Sequence, residues 1–164
     1  MRFAHRSLLA VLLVLCSGAC SPQSTAKSNV GGGLNEAFTQ DTLTIINDEG
    51  IHHQFDVYLA LAPEQQSRGL MFVRQMPQTT GMLFVYEANE FHSMWMKNTY
   101  LSLDIVFARA DGTVSSVIRN TEPLSLRSLS STEPVKYVLE LNAGAARRFK
   151  IGTGSRLVWA PDES

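Results

Sequence analysis

Beyond residue 40 the apolar residues come in short runs, rich in β-branched side chains and cut off by turn residues. That pattern confines the folded part of the chain to strands rather than core helices. Residues 42–46 form one such run, and Asp48-Glu49-Gly50 after it signals a turn. Residues 54–61 alternate, with Phe55, Val57, Leu59 and Leu61 on one face, so the two runs predict a hairpin. Residues 81–86 and 93–96 read as further strands. Residues 101–108 and 113–119 flank Asp111-Gly112, whose glycine suits the positive φ of a tight hairpin turn. Residues 136–141 and 156–159 complete a set of about eight strands. A single short helix is expected over residues 63–69: Pro63 suits its first turn, Glu64 complements its dipole, and Gly69 can provide a left-handed cap. Residues 125–134 read as a polar loop. The fold class expected is mainly β, an antiparallel barrel or sandwich.

The start of the chain obeys a different rule. Arg2 and Arg6 precede an uninterrupted apolar run over residues 8–15, and Ser17-Gly18-Ala19-Cys20 follows. A positive start, a short apolar run and a small-residue exit make a secretory signal over residues 1–19. Small-small-Cys resembles a bacterial lipobox, in which the cysteine after the cleavage site carries a diacylglycerol. Cys20 fits that position, since Ala19 precedes it; Cys16 follows the bulky Leu15 and does not fit. Ser17 departs from the aliphatic residue usual in a lipobox. Ser21 rather than Asp after the cysteine favours the outer membrane, by resemblance to lipoprotein sorting. The alternative is ordinary cleavage and a soluble periplasmic protein. Residues 20–40 then read as the lipidated cysteine and a flexible tether, rich in Ser, Gln, Asn and Gly, ahead of one β-rich domain over residues 41–164.

Composition removes whole classes of function. The formal net charge is −1, so nucleic acid is a poor partner. Processing at Cys20 would leave no second cysteine, hence no internal disulfide, thiolate metal cage or cysteine nucleophile. There is no Gly-x-Ser-x-Gly elbow, and Gly31-Gly32-Gly33 has neither the lysine nor the preceding strand of a phosphate loop.

Five segments stand in order along the domain: Arg68-Gly69-Leu70-Met71, Gly81-Met82-Leu83-Phe84, Trp95-Met96-Lys97-Asn98-Thr99, Leu103-Asp104-Ile105, and Tyr137-Val138-Leu139-Glu140-Leu141 with Gly144. Together they resemble the signature of the family called domain of unknown function 192. Ser102 stands where members often have Pro, and Ser155 where they often have Asp. The resemblance implies a compact β-rich domain, frequently secreted, and brings no established activity or catalytic residue.

Two constellations invite a functional reading. Asp104 and Glu140 lie within largely apolar strands, where an unpaired carboxylate is costly. Lys97, Arg68 and Asn98 are their natural partners, with Trp95 as an exposed neighbour. Convergence of Arg68, Trp95, Lys97, Asn98, Asp104 and Glu140 would make either a structural ion-pair network or a ligand-binding patch. It would also allow a hydrolase or isomerase with Asp104 and Glu140 as acid and base. The second constellation is His92, Met94 and Met96, which alternate onto one strand face and could bind Cu(I). Methionine on a strand is more often core filler. His52-His53 point to opposite faces and cannot readily share one ion. The reading preferred is a lipid-tethered envelope module without cofactor, bound to the bilayer through Cys20. Its partner would be an envelope protein, a polysaccharide or a small polar ligand.

Overall fold

The computed structural model describes Met1 and residues 33–160. The fold is mainly β, with nine strands and three short helices among the described residues. A short helix α1 (Leu34–Ala37) leads into β1 (Gln40–Ile46) and β2 (His52–Ala60), the expected hairpin. Helix α2 (Pro63–Arg68) follows, then β3 (Thr80–Glu90) and β4 (Ser93–Met94). The second hairpin is β5 (Leu103–Ala108) with β6 (Val114–Ile118). The chain closes with β7 (Leu129–Ser130), β8 (Val135–Asn142), α3 (Ala145–Arg148) and β9 (Arg156–Val158).

Seven strands form one sheet in the order β6-β5-β8-β3-β2-β1-β9, while β4 and β7 pair separately. Every neighbouring pair in the large sheet is antiparallel except β2 with β3. A parallel pair requires a crossover, because the chain must return to the end from which it started. Residues 61–79, including α2, supply it. The sheet curls until its two edges touch. Leu157 N–H donates to Gly112 O at 2.8 Å, and Val114 N–H donates to Ser155 O at 2.8 Å. Gly112 is required there twice over: its φ is +82°, and a Cβ would collide with the Leu157 carbonyl oxygen.

The curl divides the core into two layers. The inner layer draws on every strand of the sheet and on α3, through Leu43, Phe55, Leu83, Val106, Val114, Leu139, Leu157 and Ala146. The outer layer covers the other sheet face, with Tyr58, Phe84, Ile105 and Val138 lying beneath Leu34, Phe38, Leu70, Val73, Met94 and Met96. Strand periodicity sorts the residues as expected. In β5, Leu103, Ile105 and Phe107 join the outer layer and Val106 and Ala108 the inner one.

Several details differ from the expectations. The domain starts before residue 41, because Leu34 and Phe38 are buried in the outer layer and Leu59 N–H donates to Thr39 O at 2.9 Å. The tether expected over 20–40 therefore cannot include its last residues. Residues 2–32, which hold Cys20 and all of the leader except Met1, lie outside the described residues. Residues 125–134 contain β7, a strand of two residues that the polar composition hid. Leu61 is half exposed beyond the end of β2. Gly69 has a positive φ of 48° but a ψ of −140°, so it turns the chain without forming the left-handed cap.

Candidate functional site

The crossover does not seal the outer face completely. A cavity of about 360 Å³ remains between α2, the turn after it, the outer face of the sheet and the segment after β4. Arg68, Met71, Phe84, Tyr86, Trp95 and Glu140 are among the residues that line it. Four of the five segments that carry the family resemblance contribute to this lining; only 103–105 does not.

Register explains the sheet side of the cavity. Met82 pairs with Glu140 and Phe84 with Val138, so these four side chains share one face of β3 and β8. Tyr86 follows two residues later on β3 and lies partly buried against the same outer layer. The opposite wall comes from the end of α2. A Cβ at Gly69 would stand 3.2 Å from Phe84 Cζ, so glycine lets the turn rest against that ring. Alternation along 93–97 buries Met94 and Met96 and leaves Trp95 half exposed at the rim.

Glu140 dominates the chemistry. It is only 4% exposed. Burial alone pushes its carboxyl up to about 8, with no ion pair or hydrogen bond acting against that rise. At neutral pH it is therefore mostly a neutral acid with a proton to donate. The Tyr86 phenol is pushed up to about 12, first by burial and then by the nearby charge of Glu140. Its hydroxyl donates to Met94 Sδ at 3.7 Å, and its ring stacks on His92 with centroids 3.5 Å apart. Burial lowers the His92 imidazole, opposed by the Glu90 charge and the Ala88 carbonyl, and its Nε2 has no partner among the described residues.

The expected six-residue cluster does not assemble. Asp104 pairs in register with Leu141 while Glu140 pairs with Ile105, so the two carboxylates lie on opposite faces of the sheet. Asp104 belongs to the inner side, where it is fully buried. Asn120 N–H donates to its Oδ1 and Ala146 N–H to its Oδ2, both at 2.9 Å. It thus ties a loop and the first turn of α3 to β5. It cannot serve as the acid–base partner of Glu140.

The cations also go elsewhere. Lys97 Nζ stands 5.1 Å from the Trp95 ring centroid, and the Arg68 guanidinium 5.5 Å from that of Phe38. Arg68 Nη2 donates to Gly33 O at 3.3 Å. Asn98 Nδ2 approaches Met71 Sδ at 3.9 Å. The ion pairs among the described residues are Arg109–Glu133 and Lys150–Glu49, neither of them in this region. Arg68, Trp95 and Glu140 share the cavity lining; Lys97 and Asn98 stand beside it, and Asp104 is separated by the sheet.

The copper set is dispersed in its contacts. His92 stacks on Tyr86, Met94 accepts the Tyr86 hydroxyl, and Met96 is wholly buried in the outer layer. No group of three or more His, Cys, Asp or Glu residues that could hold a metal occurs among the described residues. Tyr86, Phe84 and Met71 escaped sequence reasoning as site residues. A period of two from Met82 places Phe84 and Tyr86 on one face of a strand, but only the register of β3 on β8 brings Glu140 to that face, and Met71, though part of a resemblance segment, reaches the site by the crossover.

Comparison with known proteins agrees with this architecture. The model of DUF192, described as Uncharacterized ACR, matches residues 44–159. No curated protein matches. Among solved structures, one similar chain is a Sinorhizobium meliloti 1021 protein named a "putative transcription regulator". It is 42% identical with a TM-score of 0.72, over 74% of this chain and 94% of that one. Another is a Novosphingobium aromaticivorans DSM 12444 protein of unknown function. It is 32% identical with a TM-score of 0.70, over 73% of this chain and 85% of that one.

Proposed function

This chain belongs to the DUF192 family, for which no activity is established, and from that premise we propose that it is a binding module whose cavity holds a small, hydroxyl-bearing polar ligand. One observation carries the reading: Glu140 is buried at a cavity with no protein partner for its carboxyl among the described residues, beneath a half-exposed tryptophan. A fold tolerates an unpartnered buried carboxyl poorly, because the lost hydration is not replaced. A ligand hydroxyl or carbonyl would replace it. Trp95 offers a flat apolar face to the other side of such a ligand, and Tyr86 a second polar edge. A sugar unit of an envelope polysaccharide has this combination of hydroxyls and an apolar ring face.

The same titration near neutrality favours a second reading, in which Glu140 is a lone general acid or base. Regulation of transcription, named for the Sinorhizobium protein, is not carried to this chain. Its formal net charge is −1, whereas neutralising nucleic-acid phosphates calls for a cationic surface.

The envelope location rests on the leader and Cys20. The module would sit on the periplasmic side of the outer membrane, tethered through lipidated Cys20. Mass spectrometry of the native N-terminus should find an acylated Cys20; an unmodified residue in the soluble periplasm would remove the tether from the proposal.

The cavity is tested with a panel of neutral mono- and oligosaccharides, followed by nuclear magnetic resonance. Binding should shift the Trp95 indole and be weakened at least tenfold by Glu140→Gln and by Trp95→Ala, taking tenfold as about 1.4 kcal/mol. Binding unaffected by both substitutions, or no binding across the panel, overturns the reading. Conversion of a sugar by the wild-type protein but not by Glu140→Gln decides for the enzymatic one.

A further inference from the structure

Beside the cavity mouth, several large apolar side chains face solvent. Phe72 is 61% exposed, Leu124 54% and Leu126 71%, with Trp95 and Tyr100 also exposed. They form one region of the surface. The Phe72 and Tyr100 rings meet edge-on at 6.5 Å. Phe72 N–H donates to Asn98 O at 2.8 Å, Leu124 N–H to Thr99 O at 3.1 Å, and Met96 N–H to Ser125 O at 3.0 Å. The 70–74 turn, the 95–100 segment and the 122–126 loop are therefore bound together.

Two of these exposed residues are held at a cost. Phe72 has φ 67° and Leu124 φ 62°, in the left-handed region that bulky side chains avoid. Burial does not compensate for that cost, since both side chains lie in water. Backbone strain maintained in order to present apolar groups to solvent points to an interaction surface.

We infer that this face docks onto an anionic lipid bilayer, with Phe72, Leu124, Leu126 and Trp95 entering the interfacial region. Three observations select the bilayer. The exposed aromatic rings carry cations, with the Arg74 guanidinium 4.5 Å from the Tyr100 centroid and Lys97 over Trp95. Amphipathic aromatics beside Lys and Arg are the combination that suits the headgroup region. Arg74, Lys97 and Arg127, beside Leu126, have no carboxylate partner among the described residues, which leaves them for lipid phosphates. Glu122 is the one acidic residue in the 120–128 segment. Finally, the chain enters the domain on this side. Gly33 is bonded by Arg68, which lines the same cavity as Trp95. A tether from Cys20 to Gly33 would reach at most about 45 Å, which is long enough to let this face lie against a membrane that holds Cys20.

The test removes the lipid anchor so that only the face is measured. The chain beginning at residue 20 and carrying Cys20→Ala is mixed with vesicles of phosphatidylethanolamine and phosphatidylglycerol, or of phosphatidylcholine alone. Binding is read by co-sedimentation and by quenching of tryptophan emission with brominated lipid. Binding to the anionic vesicles should weaken with salt, and should fall roughly tenfold in each of Phe72→Asn and Leu124→Asn. Asparagine tolerates the left-handed backbone, so both variants should melt at or above the parent temperature. That separates lost docking from lost folding. Failure of the parent to bind at low salt, or unchanged binding by both variants, overturns the inference. Self-association abolished by the same substitutions, without vesicle binding, would replace the bilayer with a second copy of the chain. The outcome is independent of sugar binding and of acylation at Cys20.

Discussion

Asp104 and Glu140 lie on adjacent strands of one sheet, are buried to nearly the same degree, and have opposite fates. Asp104 faces the inner layer and is filled by two backbone N–H donors. Glu140 faces the outer layer and opens onto a cavity, with no protein partner among the described residues. The sheet between them is one strand thick. A buried carboxyl is therefore not in itself a sign of function or of structure; its partners decide. On the inner face every partner is covalently part of the fold. On the outer face the crossover covers the sheet incompletely, and the cavity it leaves gives a partner from outside access to the carboxyl.

Substitutions can sharpen this contrast, and the largest effect belongs to Glu140→Gln. Its carboxyl rises from 4.5 in a free chain to about 8 in the fold. The folded state thus holds the proton more tightly. That stabilisation is complete below pH about 4.5 and is lost as pH rises through about 8. Glutamine does not ionise. Near pH 9 the variant should be more stable than the parent by on the order of 4 kcal/mol, and near pH 5 the two should be similar. Melting curves across that range check it. A variant destabilised equally at every pH would mean that Glu140 is structural, like Asp104.

Asp104→Asn comes next, with the opposite sign. The amide keeps one acceptor but turns an N–H₂ group toward a backbone donor. That leaves a buried N–H unpaired, at a cost of roughly 2–3 kcal/mol in urea denaturation. A neutral result would remove the distinction between the two faces.

The smallest effect is expected at Gly81, which pairs with Leu141 and so belongs to the Asp104 side. A Cβ there would stand 2.7 Å from Glu140 O and 2.8 Å from Leu141 Cδ2. Gly81→Ala should cost about 1–3 kcal/mol through overpacking, read from thermal unfolding. No loss would show that the inner layer packs more loosely than these distances imply.

Much of this was legible in the sequence, because period two and turn chemistry are local. Asp48-Glu49-Gly50 and Asp111-Gly112 placed both hairpins, and alternation placed Asp104 opposite Ile105 and Glu140 beside Val138. Alternation says which residues share a face of one strand. It does not say which face of β5 meets which face of β8, so the two carboxylates could be imagined together. That depends on register between distant segments. The expected ion pairs failed for a similar reason, since Arg68 and Lys97 found aromatic rings and a carbonyl rather than carboxylates. Helix α1 was hidden because its one buried residue, Leu34, directly follows a run of glycines. The exposure of Phe72 and Leu124 could not be read from residues whose type suggests burial.

The meeting of Gly112–Val114 with residues 154–157 has a consequence for how the molecule is born. β9 pairs with β1 on one side and reaches the start of β6 on the other, so it occupies the gap between the two margins of the sheet. Until those three residues arrive, β1 presents a row of unpaired amides and carbonyls ready to recruit a neighbouring chain. The strand that removes this hazard is synthesised after every other strand of the described sheet. A polypeptide cut short before Arg156 would keep nearly all of its core and still be open to polymerisation along β1.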